Sequence, residues 1–289
     1  IVKNKKILDV LYNHILKENN IEVINDVLLN EIQYFGDNIS AKTNKGIFVS
    51  DLIIAADGKF GSSRNLLKTN FYKKKYNRKA LVLNISHSKN HNSTAYEFFY
   101  KNGPLAILPM KSENKKNLSS IVWTNTYELV ESLSNSDEVN LIQILNKITC
   151  GCVGQIKAIN NKQQFPLSAH LNSKFYEKRF IYIGDSAHSF HPIAGQGWNL
   201  GMKDIETLYE LAKQHKLLGA DIGNNSFCKD YHDNTFFRAY RLYQITDKLD
   251  SVFQNNASIS NFIRYFGINL IQKNKKIKNL ISDFAMGIN

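Results

Sequence analysis

Asp185, Gly195, Gln196, Gly197 and Asn199 fall in one short stretch suited to an anionic or electron-rich ligand. A carboxylate accepts hydrogen bonds, and glycines let a ligand come close to the backbone. The apolar run Phe180 to Ile183 leads in with strand length and composition. Gly184-Asp185 ends that run, and Pro192, Gly195 and Gly197 keep helix and strand away until Trp198. From Asn199 the pattern is helical, with Leu200, Ile205, Leu208 and Leu211 recurring at spacings of three to five. The stretch therefore reads strand, long glycine loop, helix. A helix start offers unpaired N–H groups and the positive end of a dipole. A lone Gly-x-Gly before a helix is as often an ordinary tight turn.

The string as a whole carries more than its glycines. Phe180 to Asp204 closely resembles the second flavin-binding motif of the para-hydroxybenzoate-hydroxylase superfamily. Its later part, His191-Pro-Ile-Ala-Gly-Gln-Gly-Trp-Asn-Leu-Gly-Met-Lys-Asp204, resembles the ubiquinone-biosynthesis branch. Trp198 stands where that branch usually has Leu or Phe. A second patch agrees with the first. Asp51 to Ala56 reads as a buried strand, and Asp57-Gly58-Lys-Phe-Gly61-Ser62-Ser63-Arg64 follows it. On its own Asp57-Gly58 is equally a plain turn, but with Ser63-Arg64 it resembles the superfamily's Asp-Gly motif.

The resemblance covers nearly the whole chain and implies a class A flavin monooxygenase. FAD would be reduced by NAD(P)H, and one oxygen atom of O2 would go to an activated aromatic ring, here a polyprenyl phenol of ubiquinone biosynthesis. In that scheme Asp185 accepts from the ribityl chain and Pro192 stiffens the loop against the ring. Gly195, Gln196 and Gly197 bring backbone N–H groups to the pyrimidine edge, with Gln196 the least defined of them. Asn199 donates nearby or caps the helix. Asp57, Gly58 and Arg64 serve the pyrophosphate and the path of the nicotinamide donor. Lys5 matches a family Arg near the phosphates, keeping the charge without the bidentate fork; a solvated helix-start lysine is an equal reading.

His188 and His191 invite a metal or acid–base reading. No carboxylate joins them within the loop at ligand spacing, so a structural or substrate-side role is expected and no metal. Cys150 and Cys152 flank one glycine, too few ligands for zinc, and three cysteines do not build a disulfide framework. They read as buried or incidental thiols in a reducing cytosol.

The net charge of +12 has three readings: nucleic-acid binding, attraction to anionic lipid, and AT-rich coding bias. The basic residues are scattered, apart from Lys73–Lys75 and Lys273–Lys278, and no nucleic-acid motif is present. Coding bias with a membrane-surface contribution is the expectation. No run of 18 or more apolar residues exists to span a bilayer. The expected place is the cytoplasm, peripheral to the inner membrane, with other quinone-biosynthesis proteins as neighbours.

Elements that must position these residues follow from periodicity. Ile7, Leu8, Leu11, Ile15 and Leu16 share a helical face. Ile21–Leu28 reads as a strand, Ile32–Phe35 and Ile39–Lys42 as a hairpin around Gly36-Asp37-Asn38, and Ile47–Val49 as a further strand. Leu81–Ile85, Ala95–Tyr100, Leu105–Met110 and Ser119–Thr124 are strand-like, and Leu129–Leu133 and Val139–Ile148 helical. Gly154–Ile159 and Phe165–Leu167 return the chain to its first domain. Met202–Leu217, Phe227–Phe253 and the segments around Ile263 and Ile277 are helical, the last amphipathic. The fold expected is α/β: an incomplete Rossmann-like FAD-binding domain (1–75 and 166–289), an inserted, mostly antiparallel substrate sheet (76–165), and a helical C-terminus. No Gly-x-Gly-x-x-Gly occurs. The expectation is therefore a fragment without its first dinucleotide-binding unit, inactive alone and weak toward FAD, its strands at 51–56 and 180–183 lacking a neighbour. Three alternatives stand beside the hydroxylase. One is another flavoenzyme on the scaffold, such as a halogenase or flavin reductase. The others are a non-catalytic assembly member and a basic nucleic-acid or lipid-binding module.

Overall fold

Turn chemistry builds the first sheet. Gly36, at φ +53°, and Asp37 join β1 (Leu29–Phe35) to β2 (Asn38–Thr43), with Phe35 opposite Asn38. Gly46, at φ +129°, opens β3 (Gly46–Ser50), and the three strands form an antiparallel meander. The computed structural model describes residues 2–100, 102–113, 116–191, 195–254, 274 and 276. The strand expected at Ile21–Leu28 is not formed; pairing starts at Leu29. Asp26 takes a left-handed backbone, φ 56°, and the Asn44 side chain accepts from Leu28 N at 2.7 Å and donates to Asp26 O at 3.1 Å. A side-chain amide there holds the backbone that a ladder would have held.

β4 (Ile53–Ala55) and β11 (Phe180–Tyr182) pair in parallel, Ile53 opposite Phe180 and Ala55 opposite Tyr182. The two strands expected to lack a neighbour are each other's neighbour. β10 (Tyr176–Glu177) adds antiparallel to β11, giving the order β10-β11-β4. β11 is fully buried, whereas β4 leaves Ile54 45% exposed, so the second strand is half-buried rather than buried. Arg179, in the β10–β11 turn, donates to Asp51 O at 2.9 Å and pairs with Asp221 at 2.5 Å.

A third sheet has six strands in the order β12-β9-β5-β8-β7-β6. They are β5 (Phe71–His87), β6 (Tyr96–Tyr100), β7 (Gly103–Glu113), β8 (Lys116–Asn125), β9 (Ile156–Asn172) and β12 (His188–Ser189). The stretch expected as two pieces, 154–159 and 165–167, is the single strand β9. One face of this sheet is apolar at every second residue. Leu81, Leu83, Ile85, Leu105, Ile107, Ile121 and Trp123 cluster with Val130, Leu133, Leu141 and Leu145 of α3 (Tyr127–Asn135) and α4 (Glu138–Ile148). Thr126 and Asp137 cap those helices through Leu129 N and Asn140 N.

Contacts divide the chain into two compact units, residues 1–24 with 76–167 and residues 25–75 with 168–289. The second unit holds β4, β11, α5 (Gly197–Leu217) and α6 (Asn225–Gln254) around Phe175, Phe180, Tyr182, Leu200, Phe227 and Tyr231. α1 (Asn4–Ile15) belongs to the first unit and buries no residue. The helices expected around Ile263 and Ile277, and Lys273, Lys275 and Lys278, lie outside the described residues; Lys276 is exposed. No helix among the described residues is long and apolar enough to cross a membrane.

Candidate functional site

Two parallel strands end side by side, and that places two loops together. Ile183 N donates to Ala55 O at 3.0 Å, just past the ends of β11 and β4. Gly184, at φ +56°, then opens a single turn, Gly184–Ser186, that carries Asp185. Ala56, Asp57 and Gly58, at φ +76°, leave β4 beside it. The Ser186 hydroxyl stitches the loops by donating to Ala55 O at 2.6 Å. The carboxyl end of a parallel pair is where α/β folds put ligands, because the chain turns away there and leaves a crevice.

A cavity of about 580 Å³ opens at this end. Asp185, Gly58, Gly195, Gln196 and Gly197 line it, with Phe190, His191, Trp198, Met202 and Ile205 as an apolar and aromatic wall. Asp185 is exposed, and its carboxylate has no hydrogen-bond partner among the described residues. Gly195 sits at φ +59°, which suits glycine. Gly197 shows no positive φ, and a Cβ there would meet nothing within 4 Å. Neither its backbone nor its neighbours require a glycine at 197. The room left at the start of the 21-residue helix α5 is a cradle open to a ligand. A polyol and an electron-rich ring edge fit such a donor set: one free carboxylate to accept, helix-start N–H groups to donate, and an apolar wall.

The remaining expected residues divide differently. Asp57 does not line the cavity; its Oδ2 accepts Ser63 N at 3.0 Å at the start of α2 (Ser63–Leu66). Gly61 is needed there, since a Cβ would lie 1.9 Å from the Asp57 carboxyl carbon. Arg64 is buried and donates to Ser186 O at 3.1 Å, to Lys59 O and to His170 Nε2, so it ties the first loop to the second. Burial lowers the Arg64 pKa, with the Asp57 carboxylate opposing. Asn199 lies in the first turn of α5, makes no cap and is not part of the cavity wall. Lys5 is exposed on α1, in the other compact unit. Pro192 lies outside the described residues. The long loop also contains a strand where none was expected: His188 and Ser189 form β12 against Leu171 and His170 of β9. Edge pairing with β9 overrides the local glycine and proline signals.

Sequence reading missed Lys59, His170 and Asp204. Lys59 Nζ donates to Ser168 O at 2.6 Å; burial lowers its pKa and the nearby Asp185 opposes. His170 is held down to about 3, first by burial and then by the charges of Arg64 and Lys59. Lys59, Arg64, Lys73 and His170 line a smaller cavity of about 180 Å³. Asp204 is fully buried and bonds His188 Nε2 at 2.7 Å. The string that ends on Asp204 gave it no role, because its partner lies sixteen residues away. Among the described residues, no group of three or more His, Cys, Asp or Glu is placed to hold a metal ion.

Comparisons with known proteins bear on this geometry. The family described as "FAD binding domain" matches residues 37–216. The chain is 30% identical over 257 residues to ubiquinone hydroxylase UbiL of Rhodospirillum rubrum, covering 87% of this chain and 58% of that protein. It is 24% identical over 288 residues to ubiquinone hydroxylase UbiM of Neisseria meningitidis, covering 99% and 62%. The chain thus spans about three fifths of the length of these curated relatives. Two solved structures share the fold. The p-nitrophenol 4-monooxygenase PnpA from Pseudomonas putida has a TM-score of 0.75 at 15% identity, covering 98% of this chain and 72% of that one. HpxO from Klebsiella pneumoniae, complexed with FAD and uric acid, has a TM-score of 0.72 at 14% identity, covering 98% and 70%.

Proposed function

Because the chain belongs to the FAD-binding-domain family, we propose that the 580 Å³ cavity takes the ribityl and ring portions of FAD. We propose that the whole protein is a flavin-dependent monooxygenase hydroxylating the ring of a polyprenyl phenol in ubiquinone biosynthesis. The observation that carries this reading is the cradle: a free carboxylate at Asp185 facing a helix start whose Gly197 has open space where a side chain would stand. The ubiquinone hydroxylases among its relatives supply the substrate class.

FAD, when bound, supplies the redox chemistry that lets NAD(P)H and O2 place one oxygen atom on an aromatic ring. This chain's residues bind, orient and shield. Asp185 accepts from a ribityl hydroxyl, a charge-assisted bond. The N–H groups at the start of α5 would hold the electron-rich edge of the ring, and the helix dipole would favour negative charge there. Phe190, Trp198, Met202 and Ile205 displace water from the ring's surroundings. Lys59 adds positive charge beside Asp185, and Lys59 and Arg64, which line the smaller cavity, would serve the phosphates or the nicotinamide donor. The division into an FAD-binding part (1–75, 166–289) and a substrate sheet (76–165) belongs to the same proposal. So does a place at the cytoplasmic face of the inner membrane beside other quinone-biosynthesis proteins, supported by the charge of +12 and by the bilayer home of a polyprenyl substrate.

Titrating FAD into the purified whole protein and following flavin fluorescence tests the cofactor. Saturable quenching supports the reading, and none over the micromolar range overturns it. NAD(P)H consumption with a short-chain prenyl phenol, and product mass raised by one oxygen, then separates a hydroxylase from a flavin reductase or a non-catalytic member.

A further inference from the structure

We infer that Asp204 is the positioning residue of this cavity, a buried carboxylate that locks three of its walls together and so aims Asp185 into the site. The inference rests on the flavin reading above.

Asp204 sits on α5, two turns beyond Gly197, with no exposure to solvent. Its Oδ2 accepts Gly184 N–H at 3.1 Å and the His188 Nε2 proton at 2.7 Å. Gly184 directly precedes Asp185. His188 directly precedes Ser189, Phe190 and His191, all in the cavity wall. The helix bearing Asp204 supplies Gly197, Trp198, Gly201 and Met202 to the same wall. One carboxylate oxygen therefore ties the turn, the short strand and the helix start.

The turn and the strand both pack against this tie. A Cβ on Gly201 would stand 3.5 Å from the Gly184 Cα, so the turn lies directly on the helix backbone. The His188 ring is stacked on Phe190 at 5.0 Å and tilted against Phe175 at 5.5 Å. Rotation about its side chain would break both contacts as well as the bond to Asp204. Arg238 of α6 stands 3.9 Å from the other carboxylate oxygen and compensates its charge. A buried carboxylate is costly to desolvate, and an apolar side chain of similar volume would pack as well. Its value here is geometric. Without it, nothing directional connects the Gly184 N–H to α5, and the Asp185 turn can rock relative to the helix start.

A double-mutant cycle on the full chain separates aiming from general support. FAD dissociation constants are measured by flavin fluorescence for wild type, Asp204→Asn, Asp185→Ala and the double variant. Asn offers a neutral carbonyl in place of the charged oxygen and turns its NH2 toward the Arg238 guanidinium, so Asp204→Asn is expected to weaken FAD about tenfold, the worth of a hydrogen bond to a charged group. In the Asp185→Ala background the same change is expected to cost less than about twofold, because there is no carboxylate left to aim. His188→Gln keeps a donor near the Nε2 position and is expected to hold FAD close to wild type, while His188→Phe fills the ring stack without a donor and is expected to lose it. The histidine pair also serves if Asp204→Asn does not fold. Fully multiplicative losses in the cycle, unchanged affinity in Asp204→Asn, or equal affinity in the two His188 variants overturns the inference. Wild-type protein with no affinity for FAD overturns the flavin reading itself, and this inference with it.

Discussion

Two acidic turns leave two paired parallel strands, and they are built in opposite senses. The turn after β4 is closed on itself: Asp57, though exposed, receives Ser63 N–H, and Gly61 is glycine because Asp57 occupies its side-chain space. The turn after β11 faces outward: Asp185 is exposed on the cavity, and the glycines that follow it at 195 and 197 look onto open space. The same pair of residue types, an acid and a glycine at a strand end, thus makes a self-satisfied loop in one place and a cavity wall in the other. What separates them is whether the carboxylate and the glycine satisfy each other or are both left for a ligand.

The strongest way to break the comparison is to cut the link between the turns. Arg64 reaches from the first to Ser186 in the second and donates to His170 Nε2, so His170 must stay neutral. Its pKa is held down to about 3, by burial first and the Arg64 charge second. The folded state then refuses a proton that the unfolded chain accepts near its ordinary value of 6.5. Stability from this source is present above that value and is lost as pH falls toward 3. Between pH 7 and 4 the loss should be about 3 kcal/mol, seen as a falling urea midpoint, and His170→Gln should flatten it. An equally steep loss in that variant would assign the acid sensitivity elsewhere.

Next in size is Asp185→Ala, which should weaken FAD by about 1.5–3 kcal/mol while leaving the melting temperature near wild type. Calorimetric titration checks it, and unchanged affinity would remove Asp185 from the site. Asp57→Ala should show the reverse pattern: a stability loss of about 1 kcal/mol from the start of α2, with a smaller effect on FAD than Asp185→Ala. A larger one would mean that the Asp57 carboxylate itself meets the cofactor. The smallest effect on stability should come from Gly197→Ala. Alanine favours a helix by up to about 1 kcal/mol, so melting should hold or rise while flavin affinity falls. A rise in stability with no loss of affinity would show that the open space at 197 is not used.

Much of this was legible from residue types. The β1–β2 hairpin follows from Gly36-Asp37, and α3 and α4 follow from the helical runs Leu129–Leu133 and Val139–Ile148. The glycine loop and the strand before it follow from their own composition. The strand at 21–28 failed because a side chain, Asn44, took over the backbone of Leu28 and Asp26 from a distance in sequence. β12 was hidden because its pairing depends on β9 and not on its own residues. The partnership of β4 with β11 could not be read at all, since nothing in either strand names the other.

The sequence by itself determined which residues could bind: a carboxylate at a strand end, glycines that leave the backbone open, a helix to follow. These are local properties, set by side-chain chemistry and backbone freedom within a few residues. Tertiary structure decided which of them line the cavity. Asp57 and Asp185 look alike in the chain, and their neighbours in space divide their roles. Asp204, among the most constrained groups of the site, is an ordinary helix residue until the fold brings Gly184 and His188 to it. Hydrogen bonds and excluded volume act over ångströms, while the residues that supply them stand sixteen or more positions apart.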